Sequence, residues 1–194
     1  MKTLTAGFAD SAHDSQRVFR AVLDAFAHPG RIVAMPVEVE APTALNAAAT
    51  AFVLTLVDRD TPLWLAPCFD SPDLHSFVRF HTGAAIAHRA EDAAFAVVPG
   101  DREPMFDGFA IGTDPYPDRS ATLVVQVPAL RGGPQRTLRG PGIDGTARAS
   151  IAGLAPAFWR DWAANHALFP CGVDVVFAAG AEMLALPRSI AVEV

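Results

Sequence analysis

Phe95-Ala96-Val97-Val98-Pro99-Gly100 and Leu123-Val124-Val125-Gln126-Val127 decide the architecture of this chain. Both are short apolar runs rich in β-branched residues, and the first is closed by a Pro-Gly turn signal. That pattern predicts central strands of a sheet. Upstream, Ile32–Met35 reads as a short strand and Leu63–Ala66 as a buried one. Downstream follow Thr137–Arg139 and a terminal strand pair, Val173–Ala178 and Met183–Leu186, joined through Ala179-Gly180-Ala181-Glu182.

Helices are expected between these strands. Ser11–Ala27 places Val18, Phe19, Val22, Leu23 and Phe26 on one face at helical spacing, and Pro29-Gly30 stops it. A second helix is expected from Thr43 as N-cap, with a wide stripe of Leu45, Ala48, Ala49, Phe52, Val53 and Leu56 whose small alanines permit close packing. Ser71-Pro72-Asp73 combines a capping hydroxyl, a first-turn proline and an acid at the positive dipole end. The helix it opens carries Leu74, Phe77, Val78 and His81 on one side and ends at Gly83. Pro156–Ala167 is amphipathic through Phe158, Trp159, Trp162 and Ala163. Between the two central strands, Asp101–Asp118 is rich in Pro, Gly and Asp and is expected to be a mobile surface loop. No repeat, low-complexity tract or linker divides residues 1–194, so the expectation is one α/β domain, an α/β/α sandwich with a mixed sheet.

Composition narrows the function. A net charge of -6 argues against a general polyanion binder. The sole lysine is Lys2, so the chain has neither the lysine of a Walker A loop nor an internal lysine for a pyridoxal phosphate Schiff base. No stretch has the apolar length of a membrane span, and Met1–Ala6 lacks the features of a secretory signal, which leads to the expectation of a cytoplasmic protein. Cys68 and Cys171, far apart and outside any C-x-x-C spacing, are expected to be buried reduced thiols; Cys171 has no histidine near it in sequence to activate it. The six histidines show no metal-ligand spacing, and no metal is expected.

Several motifs admit two readings. Gly140-Pro141-Gly142-Ile143-Asp144-Gly145 matches G-x-G-x-x-G, the dinucleotide pattern, yet no helix opens directly after it; a glycine turn between strands is favoured. Asp58, Asp60 and Thr61 suggest either magnesium ligands or, preferably, a solvated helix-to-strand turn. Arg79 and His81 fall in the last turn of their helix, where the dipole favours a cation. They are either an anion-binding pair or, as favoured, a turn with a structural histidine. Asp174 opens a buried strand and needs a partner, for which Arg188 on the neighbouring strand is the candidate.

Phe19-Arg20, Ala27-His28-Pro29-Gly30, the Leu54–Leu65 segment and Arg79-Phe80-His81-Thr82-Gly83 are followed in order by Gly112-Thr113, Ala121-Thr122-Leu123 and Leu138-Arg139-Gly140-Pro141-Gly142-Ile143. Asn165, Phe169-Pro170, Gly172-Val173-Asp174 and Leu186-Pro187-Arg188 complete the series. This collinear set resembles the PhnH family, the H subunit of the bacterial carbon–phosphorus lyase system for phosphonate degradation. The resemblance implies a sandwich like that of pyridoxal phosphate transferases but without the cofactor, a homodimer, and an assembly with the G, I and J subunits. That complex transfers ribose triphosphate from ATP to methylphosphonate, displacing adenine. The family brings no catalytic residue that can be carried over. The expectation is therefore an accessory subunit, with Arg79, His81, Arg139 and Arg188 facing an anion or a neighbouring subunit. A stand-alone enzyme acting on a phosphorylated small molecule at a dimer cleft is the alternative, and dinucleotide binding through Gly140–Gly145 a third.

Overall fold

The computed structural model describes residues 5–193; Lys2 and most of the Met1–Ala6 segment lie outside them. A short strand β1 (Gly7–Phe8) precedes α1 (Ser11–Ala27), whose N-terminus is capped by Asp10 accepting from the His13 backbone N–H. Strands β2 (Val33–Ala34) and β3 (Val39–Glu40) lead to α2 (Ala47–Leu56). Its cap is Asn46, which accepts from Ala49 N at 2.8 Å, and not Thr43 as expected. Residues 43–45 instead form a turn in which Leu45 N donates to Pro42 O, so the helix starts three residues later.

After β4 (Leu63–Leu65) comes α3 (Pro72–Thr82), capped by Ser71 and ended by Gly83 at φ 73°, a left-handed backbone that glycine adopts without a Cβ clash. Strand β5 (Phe95–Pro99) is followed by a hairpin, β6 (Ile111–Thr113) and β7 (Tyr116–Ser120), then β8 (Thr122–Gln126). Next come β9 (Arg136–Arg139), β10 (Ala147–Ala149), α4 (Phe158–His166), β11 (Asp174–Ala179), β12 (Glu182–Leu186) and β13 (Ala191–Glu193).

The main sheet runs β2-β12-β11-β8-β5-β4. Strands β4, β5, β8 and β11 are parallel, whereas β12 and β2 are antiparallel additions at one edge, which makes the sheet mixed. Its central strands are apolar on both faces because both faces are covered. Val97, Val124, Val176, Ala178, Met183 and Ala185 pack beneath α1, α2 and α3. Their neighbours Ala96, Val98, Leu123, Val125, Phe177 and Leu184 face the opposite way, onto α4 and β9. Helix α2 is buried nearly all round, and Ala48, Ala49 and Ala51 are fully buried, as the predicted close packing requires.

The second outer layer departs from a simple α/β/α sandwich. It holds a single helix, α4, alongside the antiparallel sheet β10-β9-β13. Three other expectations are corrected. The Asp101–Asp118 segment is no loose loop: Met105 and Phe109 are buried in the second core, and the hairpin begins within it. On α1 the buried face is Val18, Val22 and Ala25, while Phe19 and Leu23 are 44% and 53% exposed. Cys68 is exposed; only Cys171 is buried.

Candidate functional site

Two corners of the sheet collect the polar groups. At the corner where β11 begins, Arg188 and Asp174 form the expected ion pair. The Arg188 backbone N–H and Nε both donate to Asp174 Oδ1, at 2.7 and 3.1 Å, and Nη2 donates to Oδ2 at 2.6 Å. The guanidinium goes further than the pair. Nη1 donates to the Pro117 carbonyl at 2.8 Å and Nη2 to the Ser120 hydroxyl, both on β7. With side chains only 13% and 19% exposed, this is a desolvated, hydrogen-bonded bracket that ties the hairpin to the main sheet.

Helix α4 holds the same corner from below. Asn165 forms a two-way amide pair with Val173, donating to its carbonyl at 3.0 Å and accepting from its N–H at 2.8 Å. His166 Nδ1 donates to the Arg188 carbonyl at 2.8 Å, and Trp162 Nε1 to the Ile190 carbonyl at 2.9 Å. These three contacts were not anticipated from the sequence. Asn165 did carry a signal: a polar residue one turn on from Trp162, on the apolar face where Ala163 had been expected and where Ala163 is instead exposed. Above the corner lies a groove of about 400 Å³ lined by Pro117, Asp118, Phe169, Pro170, Pro187 and Arg188.

At the opposite, carboxyl ends of the parallel strands, a crevice of about 410 Å³ sits between Gln126 and the start of α2. Open α/β sheets commonly bind ligands at that end. Here the amides bind each other. Gln126 accepts from Asn46 N at 2.6 Å and donates to the Ala44 carbonyl at 3.1 Å, while Asn46 Nδ2 donates to the Ala178 carbonyl at 2.9 Å. Nearby, Arg102 stacks on Phe109 and Trp64, 4.8 and 5.5 Å from their ring centroids, and burial lowers its pKa. Although Cys68 is exposed as a residue, partial burial of its thiol and the Asp101 charge push its pKa up, opposite to what an activated nucleophile needs.

The four residues singled out from the sequence are not brought together. His81 lies on α3, donates Nε2–H to the Thr5 carbonyl at 2.9 Å and packs against Phe77 and Phe80, so it pins the chain entering β1. Arg79 is exposed in the same helical turn. Arg139 stands on the other side of the sheet, on β9, paired with Glu193 at 2.7 Å in the open. Arg188 is inside the bracket. The Gly140–Gly145 turn joins β9 to β10, as the preferred reading had it, and has a packing duty: a Cβ on Gly142 would stand 2.3 Å from the Ala27 carbonyl at the end of α1. Asp58 likewise closes a turn, accepting from Asp60 N and the Thr61 hydroxyl, and these bonds lower its pKa. Among the described residues no group of three or more His, Cys, Asp or Glu is placed to hold a metal ion. No helix among them is long and apolar enough to cross a membrane.

These features define a mixed-sheet α/β protein whose segments, scattered along the chain, converge on one bracketed corner. The comparisons with known proteins agree on its kinship. The family model described as "Bacterial phosphonate metabolism protein (PhnH)" matches residues 6–193, so the chain belongs to the PhnH family. It is 42% identical over 190 residues to the alpha-D-ribose 1-methylphosphonate 5-triphosphate synthase subunit PhnH of Rhizobium meliloti (strain 1021), covering 97% of this chain and 95% of that protein. It is 31% identical over 175 residues to the putative C-P lyase subunit protein HtxG of Stutzerimonas stutzeri, covering 90% and 83%.

Proposed function

We propose that this chain is the H subunit of an alpha-D-ribose 1-methylphosphonate 5-triphosphate synthase within a bacterial carbon–phosphorus lyase assembly. The observation that carries this reading is the near end-to-end correspondence with the synthase subunit of Rhizobium meliloti. In it the chain works with partner subunits in the transfer of ribose triphosphate from ATP to methylphosphonate, with release of adenine. Its partners are a second copy and the G, I and J subunits, and it acts in the cytoplasm. The fold type is that of pyridoxal phosphate transferases, used without the cofactor or a metal.

The geometry favours a shaping rather than a bond-making role. Arg188, Asp174, His166, Asn165, Gln126 and Asn46 each spend hydrogen bonds on other parts of the same chain. A general base or an anion clamp needs its functional atoms directed at a ligand instead.

Purified chain incubated with ATP and methylphosphonate should release no adenine, and adenine should appear when the remaining subunits are added. Adenine released by the chain alone overturns the accessory role in favour of the stand-alone enzyme. Addition of pyridoxal phosphate should produce no Schiff-base absorbance.

A further inference from the structure

The groove beside the Arg188 bracket is short of donors and rich in acceptors, which bears on what it can hold. Pro117, Pro170 and Pro187 contribute to its lining and have no backbone N–H to offer. The one cation on its wall, Arg188, already donates to Asp174, the Pro117 carbonyl and the Ser120 hydroxyl. Apart from the Ser189 hydroxyl, an anion such as phosphate would find few side-chain donors there. Asp118, by contrast, is exposed on the lining, and no described residue is paired with its carboxylate.

Large apolar side chains are exposed around the groove. Phe169 on the groove is 60% exposed, and Leu168 beside it in sequence is 46% exposed. The hairpin that shares Pro117 and Asp118 with the groove adds Tyr116 at 51% and Ile111 at 39%. Large apolar side chains exposed together near a free charge mark surfaces that are covered by a partner. On the hairpin Arg119 lies 4.2 Å from the Tyr116 ring centroid, a guanidinium of this chain stacked on an aromatic face.

We infer that this groove docks a partner subunit of the phosphonate assembly through an arginine side chain set among apolar residues. The arginine's planar head stacks on Phe169 and the prolines while its N–H groups reach Asp118. Apolar walls and a single free carboxylate suit such a side chain, and arginine with aromatic residues forms the usual energetic centre of an interface. The bracket makes the surface rigid in advance, which lowers the cost of ordering it on binding. This rests on the subunit reading above and adds the place and chemistry of the contact.

The full chain, co-expressed with the remaining subunits and analysed by co-purification and sizing, tests it. Asp118→Arg and Phe169→Ser each lie outside the bracket and should melt close to the unsubstituted protein. Each should weaken capture of the partner by at least about tenfold, the scale of a central interface residue. The milder Asp118→Asn should weaken capture less and remove part of its salt dependence. Wild-type capture by all three variants overturns the inference. A change in the size of the isolated chain caused by Phe169→Ser would mean that a second copy occupies the groove, which overturns the partner assignment. If the unsubstituted chain captures no subunit at all, the subunit reading fails first and this inference with it.

Discussion

The two polar corners of the sheet solve the same problem with different chemistry. At the carboxyl ends, Gln126 and Asn46 join α2 to β8 and β11 through neutral amide bonds. At the start of β11, Arg188 and Asp174 do it with a desolvated ion pair that also captures a hairpin. Neutral amides lose modestly when one partner is cut, because what remains is a single unsatisfied group. A charge stripped of its partner in a poorly hydrated site loses much more. The ion pair therefore fixes one geometry firmly, and it stands beneath the exposed Phe169 and Tyr116 surface. Rigidity sits where a partner would need it.

Deleting each corner in turn tests that contrast. Arg188→Ala should produce the largest loss, about 3–5 kcal/mol in urea unfolding, because Asp174 keeps its charge and loses its counter-ion. The double variant Arg188→Met, Asp174→Leu should recover much of it; a double variant as unstable as the single one would refute the pairing as the cause. Next comes Gly142→Ala, expected to cost about 1–3 kcal/mol through overpacking against the Ala27 carbonyl, with α1 fraying visible as faster amide exchange. Asn46→Ala should cost about 1–2 kcal/mol by removing the α2 cap. If it matched Arg188→Ala, the contrast between neutral and charged corners would be lost.

Smaller effects are expected from carboxylates bonded to near neighbours. Asp14 is held below its ordinary pKa of 3.8 by the Asp10 backbone N–H and then by Arg17, Asp58 by the Asp60 N–H and Thr61, and Glu182 below 4.5 by Arg131. A carboxyl whose folded pKa is depressed contributes stability that is present above its unfolded value and lost as pH falls through the folded one. Thermal stability should accordingly be flat above about pH 5 and decline below about pH 4; a midpoint independent of pH there would contradict these bonds. Least of all, Arg139→Ala should change stability by under about 1 kcal/mol, since its bond to Glu193 is in the open.

Local grammar was legible where it depends on neighbours in sequence. The bounds of α1, the Ser71-Pro72 start of α3 and its stop at Gly83 follow from caps and glycine within a few residues. The Asp174–Arg188 pair was legible too, because the two flank the antiparallel strands β11 and β12 and a buried acid must be neutralised. The α2 cap was misplaced because Thr43 and Asn46 are both good capping residues, and only the bond of Asn46 to Ala178, across the sheet, decides between them. The collinear likeness pointed to the family, but it did not reveal that Phe169-Pro170, Asp174 and Pro187-Arg188 gather at one groove, with Asn165 holding Val173 at the same corner.

By itself the sequence located the four helices and the six strands of the main sheet, though not the β6–β7 hairpin or most of the short outer strands, and pointed to the family to which the chain belongs. Those properties rest on short-range periodicity and on motif order. Only the tertiary structure decided which side of α1 is buried, that Met105 and Phe109 enter the core, and that Arg188 is committed inward while Asp118 is left facing out. The reason is physical. A side chain's partners are set by which segments the fold brings within a few ångströms, and residues such as Arg188 and Pro117, separated by 71 positions, carry no mark of that meeting until the chain has closed.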